Sequence, residues 1–279
     1  MTSQRELTKS WRDALERGVA QLPGDAADPQ CVPTLQVPQW SALLADGDGR
    51  LSTGTALPDE ATPFTADEEA FVTQALDDLL TPEERAYAAR VDPTTLGVIK
   101  VPARITQRAV ALDRRKPGGL VSKLVRVLRE VHTYLTEPEL ATQVRKHVLQ
   151  AADDRTTVLI GHSLGSVIAY DLLRYEELAA PGTAGAAIHT FVTCGSPLGI
   201  PTVQRGMGIG DNRLAAAAPH RRWINVFDPG DLVTGGTGLA RAAENVTDAQ
   251  VANGIRDPHA ATKYLRTAPV ARAATATWS

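Results

Sequence analysis

A serine between two glycines is the residue of this 279-residue chain whose surroundings best suit chemistry. Ser163 lies at the centre of the segment GHSLG, residues 161–165, which has the G-x-S-x-G pattern of a nucleophile elbow. A serine hydroxyl is a poor nucleophile unless it is held exposed beside a base. A sharp strand-to-helix turn does this by straining the serine backbone. Glycine is expected at both flanking positions, because side chains there would collide with neighbouring elements.

The residues around this turn favour a strand before it and a helix after it. Residues 158–160 form a short apolar run, β-branched at both ends, which is typical of a strand covered on both faces. Residues 167–173 continue an apolar face at helical spacing. The N-terminus of that helix would point at the reaction centre, where negative charge is favoured. The backbone N–H of Leu164 is therefore a candidate oxyanion donor.

Three histidines follow Ser163 in the chain, as the order serine, acid, histidine requires of the base. His189 and His220 each precede a predicted strand, so we expect them at the wrong edge of the sheet. His259 follows Asp257 and Pro258, which resemble a helix N-cap and a first helical residue. We therefore expect His259 in the first turn of a helix, where the dipole opposes premature protonation.

Two aspartates follow the predicted strand 223–227 and are the candidate acids. Pro and Gly at the centre of the segment DPGD, residues 228–231, favour a type II turn with Asp228 at its first position. Asp228 then has a structural task, which leaves Asp231 to orient the imidazole, with Asp228 as the competitor. His162 and Ser196 are candidate pocket residues, and Ser196 can equally serve only to form its turn.

The wider pattern predicts an α/β fold with a mainly parallel, doubly wound sheet flanked by helices, whose site lies at the carboxyl ends of the strands. Residues 1–279 are interpreted as one domain, in which residues 41–150 include a mostly helical, cap-like insertion. The alternative for those helices is plain packing on the sheet. The other predicted elements are helices at 6–20, 71–80, 120–131 and 138–151, strands at 34–40 and 189–194, and a frayed end at 268–279.

Composition excludes several classes of function. A net charge of −3 gives no electrostatic case for nucleic acid binding. No apolar run reaches the length of a membrane span, and the polar first residues do not form a signal peptide. Cys31 and Cys194 lie far apart and fit a reducing compartment. We expect a soluble cytoplasmic protein, whose oligomeric state the sequence leaves open.

Together these residues resemble the α/β-hydrolase superfamily, most closely its bacterial lipase-like and esterase-like serine hydrolases. The resemblance covers about residues 156–266, through the elbow at 161–165, Gly-Ser-Pro at 195–197, the segment 223–233, and His259 followed by Tyr264. It implies a catalytic triad of Ser163, Asp231 and His259, a small-molecule or lipid ester as substrate, and no metal or organic cofactor.

One part of that family pattern is absent from the sequence. Such enzymes usually begin with an apolar strand ending in His-Gly, whose following loop gives a second oxyanion donor, and no His-Gly dipeptide occurs here. Either about twenty native N-terminal residues are missing, or the protein lacks this strand; losing one oxyanion donor costs about a hundredfold to a thousandfold in turnover. Three functions follow as hypotheses: hydrolysis of a carboxylic ester or thioester, acyl transfer or cyclisation on the same triad, and non-catalytic binding.

Overall fold

The computed structural model describes residues 3–24, 32–40, 43, 63–92, 101–115, 119–175, 187–210, 213–215 and 221–276. Within these ranges the chain has an α/β fold, with one four-stranded sheet that is parallel throughout and ordered β1-β2-β3-β4. The strands are β1 Val158–His162, β2 Thr190–Cys194, β3 Arg222–Phe227 and β4 Val246–Gln250. The helices are α1 Gln4–Val19, α2 Ala66–Leu79, α3 Pro82–Ala88, α4 Ala103–Arg115, α5 Leu120–Thr136, α6 Pro138–Ala151, α7 Leu164–Arg174, α8 Pro201–Gly206, α9 Ala261–Leu265 and α10 Ala268–Thr275.

Helices cover both faces of the sheet because apolar side chains alternate along the strands. Val192 and Val226 point to one face, where they pack in a buried cluster with α1, α9 and α10. Phe191 and Trp223 point to the other face, where they pack with α2, α5 and α7. The strands are thus apolar on both sides, as expected of a parallel sheet between two helical layers.

The helices that precede the sheet belong to the same hydrophobic core as the sheet itself. Leu76 of α2, Leu128 of α5 and Leu164 of α7 lie in one cluster of buried side chains. A buried ion pair ties α2 to α5, since Arg129 donates to both carboxylate oxygens of Glu68, at 2.6 and 3.1 Å. These contacts describe packing on the sheet, and the cap-like role of residues 41–150 stays a prediction.

The predictions for residues 34–40 and for the end of the chain are wrong. Residues 34–39 form neither strand nor helix, although the alternation is present; Pro38 removes a ladder donor and no described strand pairs with the segment. The end of the chain does not fray at residue 268, because α10 runs to Thr275 and buries Val270 completely. No apolar pattern predicts β4, because its residues are mostly polar.

Other predicted elements are confirmed with small shifts in their bounds. The predicted helix at 138–151 coincides with α6, and the helix at 6–20 corresponds to α1, where Ser3 and Glu6 form a capping box. The predicted helices at 71–80 and 120–131 correspond to α2 and α5. Among the described residues, no helix is both long enough and apolar enough to cross a membrane.

Candidate active site

The backbone of Ser163 is held in a conformation that L-residues rarely adopt, with φ 53° and ψ −131°. The residue links the end of β1 to the start of α7, and its N–H donates to the carbonyl of Cys194 on β2 at 3.1 Å. A Cβ at Gly161 would lie 2.5 Å from the Cα of Ser166, so the close approach of strand and helix requires glycine there. The turn is therefore the strained strand-to-helix elbow that the sequence predicts.

Gly165 does not have the steric role that the sequence analysis gave it. A Cβ at this position would meet, among the described residues, only the indole ring of Trp40, at an ordinary contact distance of 3.6 Å. The expectation that a side chain at residue 165 would collide with a neighbouring element is therefore wrong. The difference arises because Gly161 faces the backbone of α7, whereas Gly165 faces the side chain of a separate segment.

His259 contacts Ser163 directly. The Ser163 hydroxyl lies 3.0 Å from His259 Nε2, within hydrogen-bond reach. The predicted helical position of His259 is wrong, since α9 begins only at Ala261 and its N-cap is Ala260; Asp257 has a φ of 47°, away from the extended backbone typical of an N-cap. His259 instead lies in a turn just before α9, and Lys123 forms an ion pair with Asp257 at 2.6 Å.

Asp231 lies on the other side of the imidazole. His259 Nδ1–H donates to Asp231 Oδ2 at 2.8 Å, and both side chains are almost fully buried. Asp228 has the structural task expected of it, because its carbonyl accepts from the N–H of Asp231 and its Oδ1 accepts from Gly230 N–H. The type II assignment is wrong, since Gly230 does not have the positive φ that this turn needs.

Tyr264 is a further member of this cluster, and the sequence analysis gave it no role. Its hydroxyl donates to Asp231 Oδ2 at 2.8 Å and accepts from the N–H of Asp228 at 3.2 Å. Gly195, at φ 55°, leaves the space for this cluster, because a Cβ there would lie 2.9 Å from the Tyr264 ring and 3.1 Å from His259 Nδ1. In the sequence, Tyr264 is marked only by its position five residues after His259, which does not indicate a contact with Asp231.

The hydrogen bonds around Asp231 favour its charged form. Burial alone would raise the pKa of this carboxyl, but the net shift is downward. The charge interaction with His259 and the hydrogen bonds from His259, Tyr264 and the N–H of Val233 together outweigh burial. Asp231 is therefore a carboxylate at neutral pH.

His162 contacts His259 through a hydrogen bond and through its ring. Its Nε2–H donates to the carbonyl oxygen of His259 at 2.7 Å, and the two rings lie 4.7 Å apart. Burial, together with the nearby His259, lowers the pKa of His162 to about 3, so its imidazole is neutral at physiological pH. Trp11 of α1 packs edge-on against the same ring.

The other residues singled out in the sequence form no hydrogen bond with the side chains of Ser163, His259 or Asp231 in the described structure. Ser196 is buried, accepts from Ser166 Oγ at 2.7 Å and from Leu198 N–H at 3.2 Å, and caps a short 3-10 helix. His189 precedes β2, at the opposite end of the strands from Ser163, and His220 lies outside the described residues. In the described part of the chain, no group of three or more His, Cys, Asp or Glu side chains could hold a metal ion.

A cleft of about 770 Å³ opens beside Ser163 and His259. It runs along β1 from Thr156 to Ser163 and passes Leu164, whose N–H belongs to the first turn of α7 and has no acceptor within the helix. His162 lines this cleft, whereas Ser196 and Asp228 do not. Glu130 of α5 also lines it, and burial raises the pKa of this carboxyl against the opposing charges of Arg126 and His259.

Comparison with known proteins gives no match to this chain, whether with models of protein families, with curated proteins or with solved structures.

Proposed function

We propose that this protein is an α/β-hydrolase-type serine hydrolase that cleaves a carboxylic ester or thioester through an acyl-enzyme on Ser163. The proposal depends on two consecutive hydrogen bonds. One joins Ser163 Oγ to His259 Nε2 at 3.0 Å, and the other joins His259 Nδ1 to Asp231 Oδ2 at 2.8 Å. Nucleophile, base and orienting acid are thus each within hydrogen-bond reach of the next.

In the first step His259 Nε2 takes the proton of Ser163 as its oxygen attacks the substrate carbonyl carbon. Asp231 holds the imidazole in the tautomer whose Nε2 is unprotonated, because its carboxylate accepts from Nδ1–H. The imidazolium that forms is stabilised by the same carboxylate. Its proton then passes to the leaving alcohol or thiol, and Ser163 remains acylated.

The negative charge on the carbonyl oxygen develops at the N-terminus of α7. The N–H of Leu164 lies in its first turn, where helical N–H groups have no intrahelical acceptor and the dipole favours an anion. In the second half of the reaction, His259 activates a water that cleaves the acyl-enzyme, and Ser163 is released.

Labelling with a fluorophosphonate tests the nucleophile directly. Mass spectrometry is expected to locate the label on Ser163, and labelling is expected to be lost in Ser163→Ala and strongly reduced in His259→Ala. Ser196→Ala provides a matched control, because that serine is buried nearby but does not contact His259. Folded protein that takes no label would contradict the proposal and favour a non-catalytic binding protein.

Turnover of p-nitrophenyl esters and acyl thioesters tests the reaction class. His259→Ala is expected to lower kcat by about 10⁴-fold or more, since triad members act as a unit. Addition of an alcohol acceptor separates hydrolysis from acyl transfer. A hydrolase releases mainly the free acid, whereas a product that is mainly the new ester would assign the protein to acyl transfer.

A further inference from the structure

The side of helix α5 that faces the cleft carries charged residues. Lys123, Arg126 and Glu130 line the cleft together with Ser163 and His259. The three charged residues are spaced by three and four positions, which places them on one side of the helix. The opposite side of α5 is buried in the hydrophobic core. The charged side therefore faces the space that the proposed substrate occupies.

Helix α5 lies next to the turns that hold the proposed acid and base. It packs on the short 3-10 helix Leu232–Thr234, which directly follows Asp231. Its Lys123 forms the ion pair with Asp257, two residues before His259 in the chain. A substrate bound at the proposed triad therefore lies beside this helix.

The carboxyl group of Glu130 accepts no hydrogen bond from a described residue. Arg126 Nε lies 3.8 Å from Glu130 Oε1, which is beyond hydrogen-bond distance. The Glu130 side chain is 24% exposed, so water that enters the cleft reaches it. Burial raises the pKa of this carboxyl, although the charges of Arg126 and His259 oppose the rise. The group thus depends on whatever occupies the cleft for its hydrogen bonds.

A substrate that fills the cleft displaces this water from Glu130. A plain hydrocarbon chain suits the apolar walls formed by Leu7, Trp11 and Val148, but it leaves the carboxyl without a partner. A buried polar group that loses its partner costs about tenfold to a hundredfold in affinity. A chain that carries a hydrogen-bonding group at this point avoids the loss, and sites of this kind reject the analogue that lacks the group.

The neighbouring guanidinium selects the kind of group that can pair with Glu130. An ammonium beside the carboxyl would also lie beside Arg126, which repels it. An anionic group brings no donor and is repelled by the carboxylate. A hydroxyl is neutral and can both donate and accept, so it pairs with Glu130 whether the carboxyl is ionised or protonated.

We propose that Glu130 is a specificity-determining residue of the hydrolase, and that the preferred substrates are esters or thioesters whose acyl chain carries a hydroxyl group bound by the Glu130 carboxyl. The acyl chain is the part assigned to the cleft because it stays on Ser163 after the leaving group has departed. This inference rests on the proposed function, since it names the substrate class of the same cleft.

Binding of methyl esters to the Ser163→Ala protein tests the preference without turnover. The probes are methyl octanoate and its derivatives hydroxylated at C3, C5 or C7, so that the series finds the position that reaches Glu130. Titration calorimetry is expected to show that one hydroxy ester binds about tenfold more tightly than methyl octanoate. Because the measurement needs no nucleophile, a protein that takes no fluorophosphonate label would contradict the proposed function without affecting this result.

Three further variants, each in the Ser163→Ala background, assign the preference to one side chain. Glu130→Leu is expected to weaken binding of the best hydroxy ester about tenfold and to strengthen that of methyl octanoate. Glu130→Gln keeps an acceptor oxygen and is expected to retain part of the preference. Glu139→Leu is the matched control, because Glu139 lies at an exposed position of α6 and does not line the cleft. It is expected to leave all affinities unchanged.

Three results would overturn the proposal. Equal affinities for all four esters, or no binding of any of them, would mean that the cleft does not select a hydroxyl; together with labelling of Ser163, this result would contradict the present inference alone. A preference that persists in Glu130→Leu would assign the hydroxyl to another residue. Tighter binding of the methyl ester of an amino-octanoate than of every hydroxy ester would show that Glu130 recognises a cation.

Discussion

The carboxylate of Asp231 accepts from Val233 N–H through Oδ1 and from two side chains through Oδ2, and the sharing of Oδ2 determines how strongly it acts on His259. Its Oδ2 accepts from both His259 Nδ1–H and the hydroxyl of Tyr264, each at 2.8 Å. The tyrosine is fully buried, so no water competes for this oxygen from its side. A hydrogen bond from Tyr264 withdraws negative charge that would otherwise stabilise the imidazolium.

Tyr264→Phe is therefore expected to change the pH dependence of the proposed reaction. With one donor fewer, Asp231 holds the imidazolium more strongly, and the pH of half-maximal kcat/KM on the acidic side should rise. Tyr134→Phe is the matched control, because that buried hydroxyl donates to Asp171 at 3.1 Å, away from the site. Equal pH profiles for wild type and Tyr264→Phe would contradict this electrostatic effect of the tyrosine on Asp231.

His162 links the pH of the solution to the stability of the site. Its pKa is lowered to about 3 by burial and by His259, so the unfolded chain binds a proton below pH 6.5 that the folded chain does not. As pH falls from about 6.5 towards 3, this group costs up to about 1.4 kcal/mol of stability per pH unit.

His162→Gln is expected to remove that part of the acid sensitivity, since glutamine can donate to the His259 carbonyl without titrating. Urea unfolding of both proteins between pH 7 and pH 4 measures the difference. The free energy of unfolding should fall less steeply in the variant. Parallel curves for the two proteins would show that His162 is not a neutral, buried group in the folded state.

At the scale of elements, the elbow depends on one glycine much more than on the other. A methyl group at residue 161 would lie 2.5 Å from the Cα of Ser166, whereas one at residue 165 would lie 3.6 Å from the Trp40 ring. Gly161→Ala is expected to push α7 away from β1, to destabilise the fold by about 1–3 kcal/mol, and to abolish fluorophosphonate labelling. Gly165→Ala is expected to retain the fold and the labelling; equal effects of the two substitutions, measured by thermal unfolding, would contradict this.

Elements whose own residues carry their signal could be predicted from the sequence. α6 and the strands β1, β2 and β3 were predicted from local apolar patterns, and the structure has these elements at the predicted positions. The pattern at 34–40 is equally clear, but a strand needs a partner, and sequence alternation does not supply one. β4 forms without an apolar pattern of its own. The carboxylate of Asp248 accepts from the N–H groups of Leu239 and Ala240, and the strand sequence does not reveal this contact.

The site could be predicted to a similar extent. The motif around Ser163 and the order of acid and base along the chain led to Asp231 and His259, which the structure brings together. Their catalytic roles stay a prediction. The contact of Tyr264 with Asp231 joins residues 33 positions apart, so no spacing rule reveals it.

At the scale of the whole molecule, one face of the sheet is closed by helices from both ends of the chain. α1 packs against α9 and α10, and together they bury Val192 and Val226 of the central strands. A Cβ at Gly18 of α1 would lie 2.9 Å from the backbone of Arg266, so α1 and the end of α9 approach closely. His259 lies just before α9, at the start of this helical layer.

Val270 of α10 tests how much the fold depends on this unit. The side chain is completely buried, so Val270→Ala is expected to lower the free energy of unfolding by about 2 kcal/mol, through lost burial and the cavity left behind. Ile255→Ala provides the contrast, because Ile255 is 95% exposed and its truncation should change stability by less than about 0.5 kcal/mol. Urea unfolding measures both. A Val270→Ala protein as stable as Ile255→Ala would mean that α10 is not docked, and that the layer over the sheet ends at α9.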